Sequence, residues 1–329
     1  MTVDRAAMTA LGTVLMLAAA GPALAQATPS ATMPADTTAD ATAQSAANAD
    51  TGDDIVVTGT RAPGRTRLDS PSPVDVLSAT SLREQGTTEL GAALAQVAPS
   101  IDFPRAAATD ATDAIRPATL RGLSPDEVLV LVNGVRKNTS ASLNLNGSVG
   151  RGAAAVDLNT IPTIALDRVE VLREGASAQY GSDAIAGVVN LRLREARSGG
   201  SASVQYGFYH TDVDTARGDR RVTGEPTTTV QATQGFGFGS DGFVTVSGEY
   251  VNRKPTNRAD FDPRVTPTRI TGQFGDPLVN QYTGVVNAGV SIAPDWKLYG
   301  WASYQDRDTR SAAFPRIPGV TSGLSLIHI

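Results

Sequence analysis

The side chains in this chain that could perform covalent chemistry are few and badly spaced for it. There is no cysteine, which excludes disulfides and thiolate metal sites. Two histidines, His210 and His328, cannot form a metal cluster, and no constellation of His, Cys or paired acids suggests an enzyme. With 28 Lys and Arg against 33 Asp and Glu, a net charge of −5 and a pI near 5.1, the chain has no basic field for nucleic acid. Glycine-rich strings add no cofactor site: Gly235 to Gly239 has no helix after it, and Gly175 to Gly181 lacks the Lys-Ser/Thr of a phosphate loop. What remains is adhesion. Asp53 to Gly59 places the β-branched run Ile55-Val56-Val57 between acidic residues and glycine, which reads as an extended strand seeking a sheet edge. Two polar stretches, Pro104 to Arg116 and Arg136 to Gly152, carry side chains that could hydrogen-bond a solute or could simply be loop.

The elements that would position these residues follow from the pattern of the chain. Arg5, the apolar run Leu11 to Ala20 and Ala23-Leu24-Ala25 form a secretory signal over residues 1–25, with cleavage expected before Gln26. Residues 26–52 are almost wholly Ala, Thr, Asp, Ser and Pro, with too little bulky apolar surface to offset ordering entropy, so a tether is expected. From 65 to 196 helix and strand signals alternate at short intervals, which predicts a compact α+β domain. Strands are expected at Val74 to Leu77, Glu127 to Val132, Arg168 to Leu172 and Val188 to Leu193, with a helix from about Leu90 to Val97. Asn133-Gly134 predicts a type I′ hairpin. Gly175 to Gly187 suits a short helix and tight turns.

After Ser198 the period becomes two. Ala202, Val204, Tyr206 and Phe208 alternate with Ser203, Gln205 and Gly207, and similar alternation recurs in Thr228 to Phe238, Gly242 to Val251, Tyr282 to Ile292 and Lys297 to Gln305. Short turns and longer polar loops separate these runs alternately, the pattern of a transmembrane β-barrel; a soluble β-sandwich alternates in the same way. A barrel enclosing the α+β domain would need on the order of 22 strands, so residues 198–324 are expected to be only its start. The ending, residues 325–329, is expected to be non-native.

Three segments resemble the TonB-dependent receptor family of bacterial outer membranes. Asp54-Ile55-Val56-Val57-Thr58 is similar to a TonB box. The run from Leu120-Arg121-Gly122 to Val132-Asn133-Gly134 resembles the central motif of the plug domain, and Arg168-Val169-Glu170-Val171-Leu172 through Gly187-Val188-Val189-Asn190-Leu191 its C-terminal signature. The chain departs from the commonest form at Glu174-Gly175, where many members have Gly-Pro. The resemblance implies an α+β plug followed by the first strands of a large antiparallel transmembrane β-barrel. It implies no cofactor or metal. Asp54, Ile55, Val56, Val57 and Thr58 would bind the periplasmic C-terminal domain of TonB, itself driven by the inner-membrane energising complex. Arg121 and Arg173 would lock onto barrel glutamates, unless each merely caps a strand end or is solvated. Arg105, Arg136, Asn138, Ser140, Asn144 and Asn146 would face ligand. The implied setting is outer-membrane lipid. The implied cargo is a scarce solute, a ferric siderophore first, with cobalamin, saccharides or a non-transporting surface role as alternatives.

Overall fold

The computed structural model describes Thr58 and residues 73–312, apart from 106, 110–111, 145–148, 174–175 and 295. The expected signal peptide, the tether, box residues 54–57, Asn146 and the 325–329 ending lie outside the described residues.

Residues 73–196 form an α+β domain around one five-stranded sheet. Its strands are β1 (Val74–Ser78), β4 (Val128–Val132), β5 (Val135–Arg136), β6 (Leu166–Leu172) and β7 (Gly187–Leu193), in the order β1-β6-β7-β4-β5. β4 and β7 pair in parallel and the remaining pairs are antiparallel. Every residue of β4 is buried, because both faces of the sheet are covered; this is why Val128 to Val132 is a continuous apolar run rather than an alternating one. One face packs on α1 (Ala79–Arg83) and α2 (Leu90–Val97) through Leu82, Leu90, Leu94, Val130, Val169 and Leu191. A smaller cluster on Val74, Leu129, Leu131, Leu172 and Val188 covers the other face. β2 (Ile101–Asp102) and β3 (Thr119–Leu120) make a small separate ladder. The short helix α3 (Ala176–Tyr180) falls within the stretch expected to hold one.

The β4–β5 turn has Asn133 at φ 50° and Gly134 at φ 81°, the two positive angles that a type I′ turn requires. Helix α1 was not visible in the sequence. Five residues carry no helical period; Ser78 starts the helix by accepting the Ser81 N–H.

Residues 200–310 form a meander of five antiparallel strands: β8 (Gly200–Val213), β9 (Arg220–Phe238), β10 (Gly242–Arg253), β11 (Leu278–Ala293) and β12 (Trp296–Arg310). At 12 to 19 residues they are longer than the alternation suggested. The ladder continues past the point where the apolar signal fades, as at Arg220 to Thr223. Long connections, 214–219 and 254–277, alternate with short ones, at 239–241 and between the end of β11 and the start of β12.

The polarity of this wall decides between barrel and sandwich. Gln231, Thr233, Thr245, Ser247, Gln281, Thr283 and Asn287 are buried against the α+β domain. Val204, Tyr206, Phe208, Phe236, Tyr282 and Leu298 stand on the opposite face and are exposed. A sandwich would bury the apolar face. A wall with an apolar exterior and a polar interior is a membrane-barrel surface, so the chain is an α+β plug followed by the start of an antiparallel barrel.

Candidate functional site

The domain's second sheet face holds a polar group that its neighbours do not predict. Glu170 lies between Val169 and Val171 in β6 and is fully buried; Asn190, its register partner in β7, is 1% exposed. A carboxylate in that position needs hydrogen-bond partners for both oxygens, because an uncompensated buried charge costs several kcal/mol. Arg168 supplies one side, with Nε and Nη2 at 3.0 and 2.9 Å from Oε1. Thr58 supplies the other: its backbone N–H and its hydroxyl donate to Oε2 at 2.9 and 2.6 Å. Asn190 Nδ2 donates to the same hydroxyl at 2.9 Å, while Asn190 Oδ1 accepts the Gly134 N–H at 3.0 Å. Thr58, the last residue of the expected box, is thus tied to two central strands and to the β4–β5 hairpin.

A second polar centre lies where the domain meets the wall. Glu89 precedes α2 but does not cap it; its carboxylate is used elsewhere. It accepts from Arg116 Nε at 3.1 Å, Arg253 Nη1 of β10 at 2.7 Å and Arg105 Nη2 at 3.2 Å. Asp276, in the β10–β11 connection, pairs with Arg116 at 2.8 Å and with Arg105 at 3.2 Å. Burial pushes the Glu89 carboxyl up, but the charges of Arg116, Arg253 and Arg105 outweigh it and bring the pKa down from 4.5 to about 2. For Arg116 burial pulls down, and Glu89 and Asp276 more than restore it, so it stays charged while 2% exposed.

Nearby, Arg307 of β12 pairs with Asp157 at 2.6 Å and donates to the Ala114 carbonyl at 3.0 Å. Gln305 donates to the Asn159 carbonyl at 2.8 Å. At the other end, residues 194–200 leave the domain along the wall. Arg197 donates to the carbonyls of Gly239, Ser240 and Gly242, Asn287 to that of Arg194, and the Ala196 N–H to Thr245 Oγ1.

The residues expected to act as a lock sit apart from this interface. Arg121, in the left-handed region at φ 58°, donates to the Arg173 carbonyl, and Arg173 pairs with Asp75 of β1 at 3.0 Å. Among the described residues, the Arg173 carbonyl and Asp75, the partners of these two side chains, both lie within the domain. The ion pairs that do join domain and wall run both ways: Glu89 and Asp157 of the domain meet Arg253 and Arg307 of the strands, and Arg116 and Arg105 of the domain meet Asp276 of the β10–β11 connection. Sequence reasoning missed Glu89, Asp157, Arg253 and Arg307 because they are joined by folding alone; the one local sign was a Thr87-Thr88-Glu89 helix start with no use for the acid.

Of the expected ligand-facing residues, Arg105 lines a cavity of about 330 Å³ between domain and wall, with its side chain 47% exposed; Thr87, Glu89, Glu225 and Arg253 line the same cavity. Arg136 is paired with Asp183, both half exposed. Asn138 accepts from Lys137 Nζ at 3.0 Å, and Ser140 accepts the Ser142 N–H through its hydroxyl at 3.1 Å. Asn144 does not face outward: it is 1% exposed, and Nδ2 donates to the Val149 carbonyl at 2.8 Å, because closing its loop uses the amide internally.

Comparison with known proteins fits this geometry. Residues 66–188 match the family model for the TonB-dependent receptor plug domain. The vitamin B12 transporter BtuB of Vibrio cholerae is 42% identical over 79 residues, 24% of this chain and 11% of that protein. Among solved structures, the ferric citrate transporter FecA in its unliganded form superposes with a TM-score of 0.53 at 14% identity, over 74% of this chain and 32% of that one. A mutant of the ferric enterobactin receptor PfeA from Pseudomonas aeruginosa gives 0.50 at 17% identity, over 73% and 33%. The chain therefore spans about a third of the solved receptors whose fold it shares. A family model thus matches residues 66–188 as a TonB-dependent receptor plug domain, a box-like segment precedes it in the sequence, and the plug and its wall of inverted polarity share the fold of FecA over the part that superposes.

Proposed function

We propose that this plug and wall belong to an outer-membrane receptor that imports a scarce solute with energy delivered through TonB. The observation that carries the reading is the seating of the plug against a wall that is polar inside and apolar outside, with Thr58 hydrogen-bonded to the plug's central strands. Ile55, Val56 and Val57 add as a strand to the sheet of the TonB C-terminal domain, the backbone supplying adhesion and the alternating side chains the register. Traction on that strand enters the plug through Thr58. The role is mechanical and needs no catalytic group.

Capture of the intact protein by the periplasmic TonB domain tests the coupling. Val56→Pro removes a ladder hydrogen bond and is expected to abolish capture; unchanged binding would refute the box assignment.

For cargo we assign a ferric siderophore. Arg105, half exposed at the 330 Å³ cavity between domain and wall, supports that reading, since a solvent-facing guanidinium suits an anionic chelate. The plug itself does not select cargo, because related plugs occur in transporters named for vitamin B12 and for ferric citrate. Induction by iron starvation, with iron-dependent growth lost on deletion, is the expected result; a flat response to iron would turn the assignment toward cobalamin or a saccharide.

A further inference from the structure

We propose that residues 196–199 form a fixed seat, laid on Gly235 and Gly237 of β9 and pinned by Arg197, on which the plug stays hinged while its Glu89 side parts from the wall. The proposal rests on the reading of the plug as a part displaced during import. It gives a use to the Gly-Phe-Gly-Phe-Gly run, which carries no cofactor.

Along this run β9 turns its phenylalanines outward, where Phe236 and Phe238 are exposed on the apolar face, and its glycines inward. The backbone that leaves β7 lies directly on those glycines. A Cβ at Gly235 would sit 2.5 Å from the Ala196 carbonyl oxygen and 2.7 Å from the Ala196 Cβ, and one at Gly237 would sit 2.9 Å from the Arg197 carbonyl oxygen. Glycine in a strand permits such close approach of a second backbone, and it leaves no space for water between them.

Hydrogen bonds hold the segment in that place. One hydroxyl serves both backbone groups of Ala196: Thr245 Oγ1 accepts its N–H at 3.0 Å and donates to its carbonyl at 3.3 Å. The Gly199 carbonyl accepts the Gly235 N–H at 2.8 Å. Arg197 then grips the β9–β10 turn, donating from Nη1, Nη2 and Nε to the carbonyls of Ser240, Gly239 and Gly242 at 2.6, 2.9 and 3.2 Å. A guanidinium fork on three carbonyls is a directional, charge-assisted pin.

The two sides of the plug therefore meet the wall differently. On the Glu89 side the side-chain pairs Glu89–Arg253 and Asp157–Arg307 span the gap, next to a cavity of about 330 Å³, and water can replace each bond as it breaks. At the seat, backbone rests on backbone, and the chain continues straight into β8 of the wall. Arg194 belongs to the plug, its N–H and Nε donating to the carbonyls of Ala165 and Leu166 at 2.9 and 3.2 Å. Asn287 bridges the two through the Arg194 carbonyl. Between them Glu195 has only a half-exposed pair with Lys297 at 3.1 Å, the weak kind, which places the hinge there.

The test is native-state hydrogen exchange in rising urea, resolved to single amides, on the intact protein in outer-membrane vesicles without TonB or cargo. The α2 amides are expected to open first, with Ala196 and Gly235 exchanging at least tenfold more slowly at the same urea. Arg197→Gln removes the charged pin and should quicken Ala196 and Gly235 about tenfold while α2 changes less than twofold. Gly237→Val, which presses on the Arg197 carbonyl, should act in the same direction; Arg197→Gln leaves the β9 sequence intact and keeps the test sound if the valine disturbs the strand.

Exchange of Ala196 and Gly235 together with α2 would overturn the seat, and so would an Arg197→Gln protein in which both amides are unchanged. Because TonB and cargo are absent, either failure leaves the Val56→Pro capture result standing. The expected order in a protein that TonB does not capture supports the seat and refutes the coupling assignment instead.

Discussion

Replacing Glu89 by glutamine tests whether the plug is held to the wall by charge. The side chain keeps its shape and loses its charge, leaving Arg116 at 2% and Arg253 at 12% side-chain exposure with one anion fewer. Two routes give the magnitude. The depression of the Glu89 pKa from 4.5 to about 2 is about 2.5 units, worth roughly 3 kcal/mol at 1.36 kcal/mol per unit. Breaking a buried ion pair by removing one partner costs about 3 to 5 kcal/mol. Asp276 still neutralises Arg116, so the lower figure applies, and about 3 kcal/mol is roughly a hundredfold in an opening equilibrium. Hydrogen exchange of the α2 amides, Leu90 to Val97, in the intact protein at pH 7 is the assay: exchange should quicken about a hundredfold while β6 and β7 are unaffected. The sign with pH follows from the depressed pKa. The stabilisation is complete above about pH 5, falls as the pH drops below the unfolded value, and is gone below about pH 2, so variant and parent converge in acid. A change under threefold at pH 7, or a difference that persists at pH 2, would refute the claim that Glu89 is held ionised by buried arginines.

Two further substitutions probe the same construction. Arg307→Gln removes the pair to Asp157 and the bond to the Ala114 carbonyl; because Asp157 still accepts from the Arg116 and Asn159 amides, the loss should be about 2 kcal/mol, seen as faster exchange near 112–116 and 157–161 only. Gly187→Ala should destabilise the plug by about 3 kcal/mol, since a Cβ there meets Leu120 and lies 2.5 Å from the Leu172 carbonyl oxygen at φ +144°; thermal unfolding and trypsin sensitivity would show it, and parental stability would refute it.

The parts of this protein legible in the sequence are those determined locally. The β4–β5 hairpin could be read because Asn133-Gly134 carries its turn angles in its residue types, and α2 because eight residues show one apolar face. The wall strands could be read because alternation needs only a strand, although not which face is covered. Arg116 shows the limit. It sits in what reads as a polar loop, yet it is among the most deeply buried large side chains, since Glu89 and Asp276 reach it from 27 and 160 residues away. Glu170 is intermediate: a carboxylate between two valines in a strand covered on both faces requires partners, so the need is visible and Thr58 is not.

The chemistry of the plug–wall interface suits a plug that is to be displaced. Besides Val285 and Trp301, which reach the main apolar cluster, the wall meets the plug with polar groups that include Gln231, Gln281, Gln305, Asn287, Arg253 and Arg307. An apolar interface of the same extent would hold by about 25 cal/mol for each Å² removed from water, with nothing to replace it on separation. A hydrogen bond to a neutral partner contributes only about 1 kcal/mol net, because water takes the place of the lost partner. The polar wall thus specifies where the plug sits through many bonds while keeping each one replaceable as water enters. The plug's own core, built on Leu82, Leu94, Val130, Val169 and Leu191, has no such exchange available. Under the proposed coupling, traction on the plug should therefore separate it from the wall along the polar surface before it opens the sheet, with the Glu89 cluster the strongest single resistance.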